Sequence, residues 1–258
     1  MTRQTFSNPR HVLITGATSG IGAALAQAYA EPGRLLSLTG RDGTRLAAVA
    51  ESCRKAGAEV VAATLDVCDR ERLTRWIEEV HRQRPLDLLI ANAGISAGTG
   101  GDGETEEQVR RIFAVNGDGV VNSVLPAIDL MRRQGHGQIA LMSSLAAFRG
   151  FPGAPAYCAS KAMVRVWGEA LRGVLAPDGI GVSVICPGYI DTPMTRVNRF
   201  PMPLLMSSER AARICKRGLA RNRARIAFPF PTYFAAWLLG ALPPGLTDPL
   251  LRRLPAKE

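Results

Sequence analysis

The chain has 258 residues, 47% of them hydrophobic and 21% charged, with a formal net charge of +10. That balance belongs to an ordinary globular domain with a sizeable core, and no stretch approaches the ~20 uninterrupted apolar residues of a membrane span. Twelve Lys and Arg residues stand from Met194 onward against Glu209, Asp248 and Glu258, so the last quarter holds nearly all of the charge; no nucleic-acid-binding motif accompanies it, and nucleic acid is not an expected partner.

The opening MTRQTFSNPR has no apolar h-region, so it reads as a short polar lead and not a signal peptide, and the chain is expected in the cytoplasm. From there short apolar runs alternate with helix-length patterns. HVLIT (11–15), LLSLT (35–39), EVVAATL (59–65), DLLIAN (87–92), GQIALMS (137–143), GVSVIC (181–186) and ARIAF (224–228) read as strands. Helical patterns separate them at 22–30, 43–57, 69–83, 120–133 and 154–176. Strands with little polar alternation are buried on both faces, and alternation with helices means βαβ units. The prediction is an α/β fold, a doubly wound parallel seven-stranded sheet with helices on both faces. One domain spanning 1–258 is expected, with 195–258, where prolines cluster, as substrate lid and C-terminal appendage. The five cysteines, Cys53, Cys68, Cys158, Cys186 and Cys215, have neither metal-ligand nor redox spacing; all are expected to be buried small hydrophobes, and no metal site is expected.

Two features point to chemistry. TGATSGIG (15–22) follows the first strand directly and opens the first helix, and its glycines let backbone amides approach a diphosphate closely. YCASK (157–161) places a phenol and an ammonium one helical turn apart, which taken alone fits a surface pair as well as a proton-transfer site.

Together with NAG at Asn92 to Gly94, Asn116 in VNG, Ser144 thirteen residues before Tyr157, and PGYIDT from Pro187 to Thr192, these motifs resemble the short-chain dehydrogenase/reductase family over about residues 10 to 195, in its short branch of roughly 250 residues with the Rossmann-type fold. The resemblance implies an NAD(P)-dependent oxidoreductase that interconverts a ketone and a secondary alcohol. Tyr157 is then the acid/base, Lys161 lowers its pKa and holds the nicotinamide ribose, Ser144 bonds the substrate oxygen, and Asn116 anchors a water that links Lys161 to solvent. The coenzyme would lie on Gly16, Thr18, Ser19, Gly20, Ile21 and Gly22, with Asp66 and Val67 at the adenine, Asn92, Ala93 and Gly94 along its middle, and Pro187, Gly188, Ile190 and Thr192 at the carboxamide. For Asp66 a strand-end turn cap is the competing reading, and for PGYIDT a plain Pro-Gly turn.

Coenzyme choice rests on LTGRDG (38–43). The family's NAD branch has Asp where this chain has Gly40, and Arg41 follows, so NADP(H) is favoured with NAD(H) as the alternative; Asp42 and Ser19 weigh against it. Met, Leu and Phe residues after Thr192, with Phe148 and Phe151, suggest an apolar small-molecule substrate. The eleven residues between Pro231 and Pro243 are too few to span a bilayer; packing is expected there, with peripheral membrane contact beside the arginines at 217, 221, 223 and 225 as the alternative. A homodimer or homotetramer is expected through the two long helices, with Val164 and Trp167 facing the partner. A dinucleotide-binding sensor or scaffold without turnover is the reading from another class.

Overall fold

The computed structural model describes residues 6, 8–97, 103–198 and 200–251. Seven parallel strands form the main sheet: β1 (His11–Thr15), β2 (Leu35–Gly40), β3 (Glu59–Thr64), β4 (Leu88–Ala91), β5 (Gly137–Met142), β6 (Ile180–Pro187) and, last, Arg225–Phe228, which is β9 because two short strands precede it. Their order is β3-β2-β1-β4-β5-β6-β9, so each of the seven strand-like runs has found a place. The chain winds outward from β1 to β3 and then restarts at β4 on the other side. A crevice therefore opens where β1 and β4 part, at their carboxyl ends.

Side chains alternate across a strand, and this fills two cores at once. Val12 and Ile14 point to the side covered by α1 (Gly20–Tyr29), α2 (Gly43–Lys55) and α8 (Ser208–Ala220), while Leu13 between them points to α3 (Arg70–Gln83), α5 (Gly119–Gln134) and α6 (Pro155–Leu175). Polar residues set the helix ends: Asp42 and Asp69 accept from the backbone N–H three residues on, and Gly135, at φ 72°, closes α5. The strand at 59–64 departs from the expected two-sided burial. It is the sheet edge, and its residues are at most partly buried.

Several elements have no counterpart in the sequence reading. Among them are α4 (Glu106–Phe113), a π-helical turn at Ala114–Asp118, α7 (Pro193–Arg196), α10 (Pro244–Leu251), and a two-stranded parallel sheet of β7 (Ile190–Asp191) and β8 (Met206–Ser207). Three expectations are corrected. Val164 is fully buried against the sheet and Trp167 packs on the same core, because α6 turns those positions inward; Met163 and Val166 are the exposed neighbours. Cys68 is exposed, while the other four cysteines are buried.

The third correction concerns the C-terminal end. Alternation along β9 sends Ile226 and Phe228 toward α8 and Ala227 toward α9 (Phe230–Ala241), so the two helices lie on opposite faces of the sheet. Arg217 on α8 is thereby separated from the apolar helix, and Arg225 turns inward, to Glu169 and to the Tyr233 hydroxyl at 3.2 Å. Arg217 and Arg225 are therefore not free cations beside the outer face of α9. No helix among the described residues is long and apolar enough to cross a membrane.

Candidate active site

The glycine turn begins where β1 ends. Gly16 and Gly20 have φ of 67° and 54°, conformations that glycine adopts without strain. A Cβ on Gly22 would run into the Gly16 carbonyl oxygen, so the helix starts pressed against the turn. Asn92 locks this arrangement to β4: its Nδ2 donates to the carbonyls of Thr15 (3.0 Å) and Gly16 (3.1 Å). Thr15 Oγ1 in turn accepts from the backbone N–H of Asn92 and Ala93, each at 3.1 Å. Ser19 occupies the N-cap position of α1 but its side chain makes no cap bond, and the first turn holds no acidic residue. A bare helix N-terminus beside glycines is the geometry a diphosphate needs, and the residues fit a dinucleotide.

These residues face a cleft of about 470 Å³. Lining it are Gly16, Thr18, Ser19, Gly20, Ile21, Gly22, Arg41, Asp66, Val67, Asn92, Ala93, Gly94, Ser144, Tyr157, Lys161, Pro187, Gly188, Ile190 and Thr192, all singled out from sequence. Of the predicted set only Asn116 is absent from the walls. The cleft also takes in Arg45, which the sequence reading overlooked although it stands three residues after an N-cap Asp. Asp42 also lines the cleft, with its carboxylate engaged by Arg45: its Oδ1 accepts from the Arg45 N–H at 2.9 Å and its Oδ2 pairs with Arg45 Nε at 3.1 Å. Asp66 caps a turn through Cys68 N (3.0 Å), lies 4.0 Å from Arg41 and lines the cleft too, so both readings of it hold as geometry. Thr192 leans over Gly20, where an added Cβ would come within 2.9 Å of its Cγ2.

Across from the glycine turn stand the hydroxyls. Ser143 is buried and its Oγ donates to the Lys161 carbonyl at 2.7 Å, which gives it a structural task. Ser144 caps the short 3-10 turn at Leu145–Ala147, accepting from Ala146 N at 3.1 Å, and its hydroxyl bonds the Tyr157 phenol. Burial pushes that phenol up to about 12, and the Ser144 bond opposes the shift. Lys161 is 3% exposed; its Nζ donates to the Met142 carbonyl at 2.9 Å and stands 5.8 Å from the Tyr157 ring centre. Burial pulls its ammonium down to about 8. The expectation that the lysine draws the tyrosine down is thus not what this arrangement displays: burial dominates both groups, and Ser144 is what favours the phenolate.

Asn116 sits in the π-helical turn, fully buried, one layer behind the cleft. Its Oδ1 accepts from Ile95 N at 2.8 Å, and its Nδ2 donates to the Ile95 carbonyl at 2.9 Å and to Ser160 Oγ at 3.0 Å. Asn116 Oδ1 and Lys161 Nζ both abut Gly94, whose added Cβ would meet them at 3.2 and 3.1 Å. A second, apolar groove of about 540 Å³ runs between α10 and the segment after Ser144, with Ala146, Phe151 and Cys158 among its walls.

Comparison with known proteins agrees with this geometry. The sequence model described as short chain dehydrogenase matches residues 10–201. An uncharacterized oxidoreductase of Myxococcus xanthus (strain DK1622) is 34% identical over 246 residues, 95% of this chain and 97% of that protein. The 3-dehydrosphinganine reductase TSC10B of Arabidopsis thaliana is 31% identical over 252 residues, 92% of this chain and 74% of that one. Among solved structures, a short-chain dehydrogenase from Sphingobium yanoikuyae in complex with NADPH superposes with a TM-score of 0.79 at 26% identity, covering 95% of this chain and 96% of that one. A short chain dehydrogenase from Mycobacterium paratuberculosis bound to NAD gives 0.75 at 25% identity, covering 84% and 94%. The chain belongs to the short-chain dehydrogenase/reductase family. It is an NAD(P)-dependent oxidoreductase acting on CH–OH groups, and which of the two nucleotides it prefers is a matter of its own residues.

Proposed function

We propose that the protein interconverts a ketone and a secondary alcohol on an apolar small molecule, with NADP(H) as coenzyme. The observation that supports this most directly is the single cleft walled on one side by the glycine turn and on the other by Ser144, Tyr157 and Lys161. The nicotinamide, when bound, supplies or takes the hydride. The protein's own residues handle the proton: the Tyr157 hydroxyl gives it to the substrate oxygen in reduction and recovers it in oxidation, while Ser144 bonds the same oxygen and orients it. Lys161 is assigned to the ribose hydroxyls and Asn116 to support, holding Ile95 and Ser160 in place around them.

Preference for NADP(H) rests on the adenosine end. A carboxylate at position 40 would select NAD, but a Cβ there would run into Thr18 Cγ2, and Asp42 is committed to its helix cap. Arg41 and Arg45 stand at the cleft wall for a 2′-phosphate, which would draw Arg45 from its exposed pair with Asp42 and Arg41 from its 4.0 Å approach to Asp66. The apolar substrate is supported by the groove beside Phe151 and Cys158, by the Tyr189–Phe200 ring pair at 6.1 Å, and by the name of the Arabidopsis relative, a 3-dehydrosphinganine reductase. A homodimer or homotetramer, cytoplasmic, with peripheral membrane contact through the C-terminal segment, completes the reading.

The test follows NADPH and NADH absorbance over a panel of apolar ketones and secondary alcohols. In Tyr157→Phe turnover is expected to fall about 10²–10⁴-fold with coenzyme affinity kept, because only the transferable proton is removed. Near-normal turnover in that variant would dismiss the assigned acid. Coenzyme binding with no turnover on any of the compounds would favour the sensor.

A further inference from the structure

We infer that the outer face of α9 and α10 docks on a phospholipid bilayer by insertion into its apolar boundary and not by charge. This deepens the peripheral-contact reading, on which it rests, and is independent of the catalytic one. From residue 226 to 247 the sequence has no Asp, Glu, Lys or Arg. The next charge, Asp248, is held by Arg149 at 2.6 Å. The polar side chains of the two helices are also turned to the body or to their own backbone. Thr232 Oγ1 donates to the Pro229 carbonyl, the Tyr233 hydroxyl meets Arg225, and Thr247 Oγ1 meets Arg149. What remains outside is apolar: Phe230 is 70% and Leu246 72% exposed, with Phe234, Trp237, Leu242 and Leu250 between and after them. The rings form a ridge, Phe230 stacked on Phe234 at 6.3 Å and Phe234 against Trp237 at 5.9 Å.

A non-obligate protein partner would be expected to meet hydrogen-bonding groups at roughly one per 100–200 Å² and a polar rim, and among the described residues the side chains of this face offer neither. A bilayer boundary requires none, and an aromatic ridge containing a tryptophan suits it. Arg217 lies on α8 across the sheet and Arg225 is paired with Glu169; Arg252 and Arg253 follow α10 directly, outside the described residues, and the salt series below separates their pull from apolar insertion. The inner side of α10 walls the groove that runs to the sequence neighbours of Ser144 and Tyr157, so the docked face adjoins the substrate side of the site.

The test is flotation of the full chain with neutral phosphatidylcholine vesicles at low and high salt, with Trp fluorescence followed in parallel. The protein is expected to float with neutral vesicles, with little change across the salt range, and its emission to shift to the blue; Trp237→Phe should abolish the shift. The double variant Phe234→Ser/Trp237→Ser should bind at least about tenfold more weakly with its melting temperature kept, since both side chains are exposed. Three results would overturn the inference. The protein stays in solution with neutral vesicles; or it binds anionic vesicles alone and salt releases it, which leaves peripheral contact standing but on other residues; or the double variant turns a dimer into a monomer without any vesicle binding, which makes a second copy the occupant. Turnover plays no part in any of these readouts, so a failed ketone screen and a failed flotation are separate events.

Discussion

Helices α6 and α9 both carry aromatic and aliphatic residues and both lean on the segment after Ser144, yet the sheet treats them differently. Along its 21 residues α6 buries Ala156, Ser160, Lys161, Val164 and Gly168 on one side and exposes Met163 and Val166 on the other. Only Ala236 of α9 is buried. The contrast teaches that a helix laid along the sheet has its inner stripe chosen by the sheet, whereas a helix apolar all round at the sheet's margin takes whichever contact the neighbours leave it. Here the neighbour is Phe148, whose ring meets Tyr233 at 5.5 Å and whose carbonyl leaves no room for a side chain at Gly240.

The sharpest test of this contrast is pH, because α6 buries an ionisable group and α9 buries none. The folded pKa of Lys161, about 8, lies below its ordinary 10.5. Between these values the unfolded chain binds the proton and the folded one does not, so the lysine's contribution is fully favourable above 10.5 and is lost as the pH falls through 8. Lys161→Met, compared with the parent by denaturant titration without coenzyme, should gain relative stability toward low pH, the gap changing by about 3 kcal/mol across the window. Cysteine titrations are common to both chains and cancel in that difference. A flat gap would mean the ammonium is hydrated in solution.

Next in size are two valine substitutions at the closest helix approaches. A Cβ on Gly168 would come within 2.7 Å of Val184 Cγ2 and 3.1 Å of Leu141 Cδ1, so Gly168→Val should cost about 1–3 kcal/mol of global stability. Gly240→Val meets a backbone oxygen that cannot move aside, but α9 can swing away. The expected cost in global stability is under about 1 kcal/mol, with increased dye binding by newly exposed apolar surface. Equal losses in the two variants would show that α9 is as much a part of the cooperative core as α6.

The same contrast describes what could be read beforehand. The seven strands of the sheet were legible because parallel strands are nearly uniform apolar runs, and the cleft residues were legible because motif spacing survives without knowledge of packing. Strands β7 and β8 have two residues each and pair across a long loop, so no local pattern marks them. The facing of Val164 and Trp167 was misjudged because α6 is apolar over more than one stripe, and only the sheet's position decides which stripe is inner. Arg45 escaped notice because Asp42 was weighed as a ligand and not as a helix cap. The ionisation of Tyr157 and Lys161 depends on burial, a sum over the whole fold that no pair spacing encodes.

The bond from Arg149 to Asp248 joins residues 99 positions apart. During synthesis at roughly 5–20 residues per second, the wall of the site therefore emerges some 5–20 s before its brace. Strand β9, which closes the sheet beside β6, also arrives only near the end. Once Lys161 has followed, a nascent chain holds Asn116, Ser144, Tyr157 and Lys161 while still lacking what steadies the segment between Ser144 and Tyr157. A premature stop after Phe228 would leave the molecule permanently at that stage, complete in its motifs and unbraced at its substrate side.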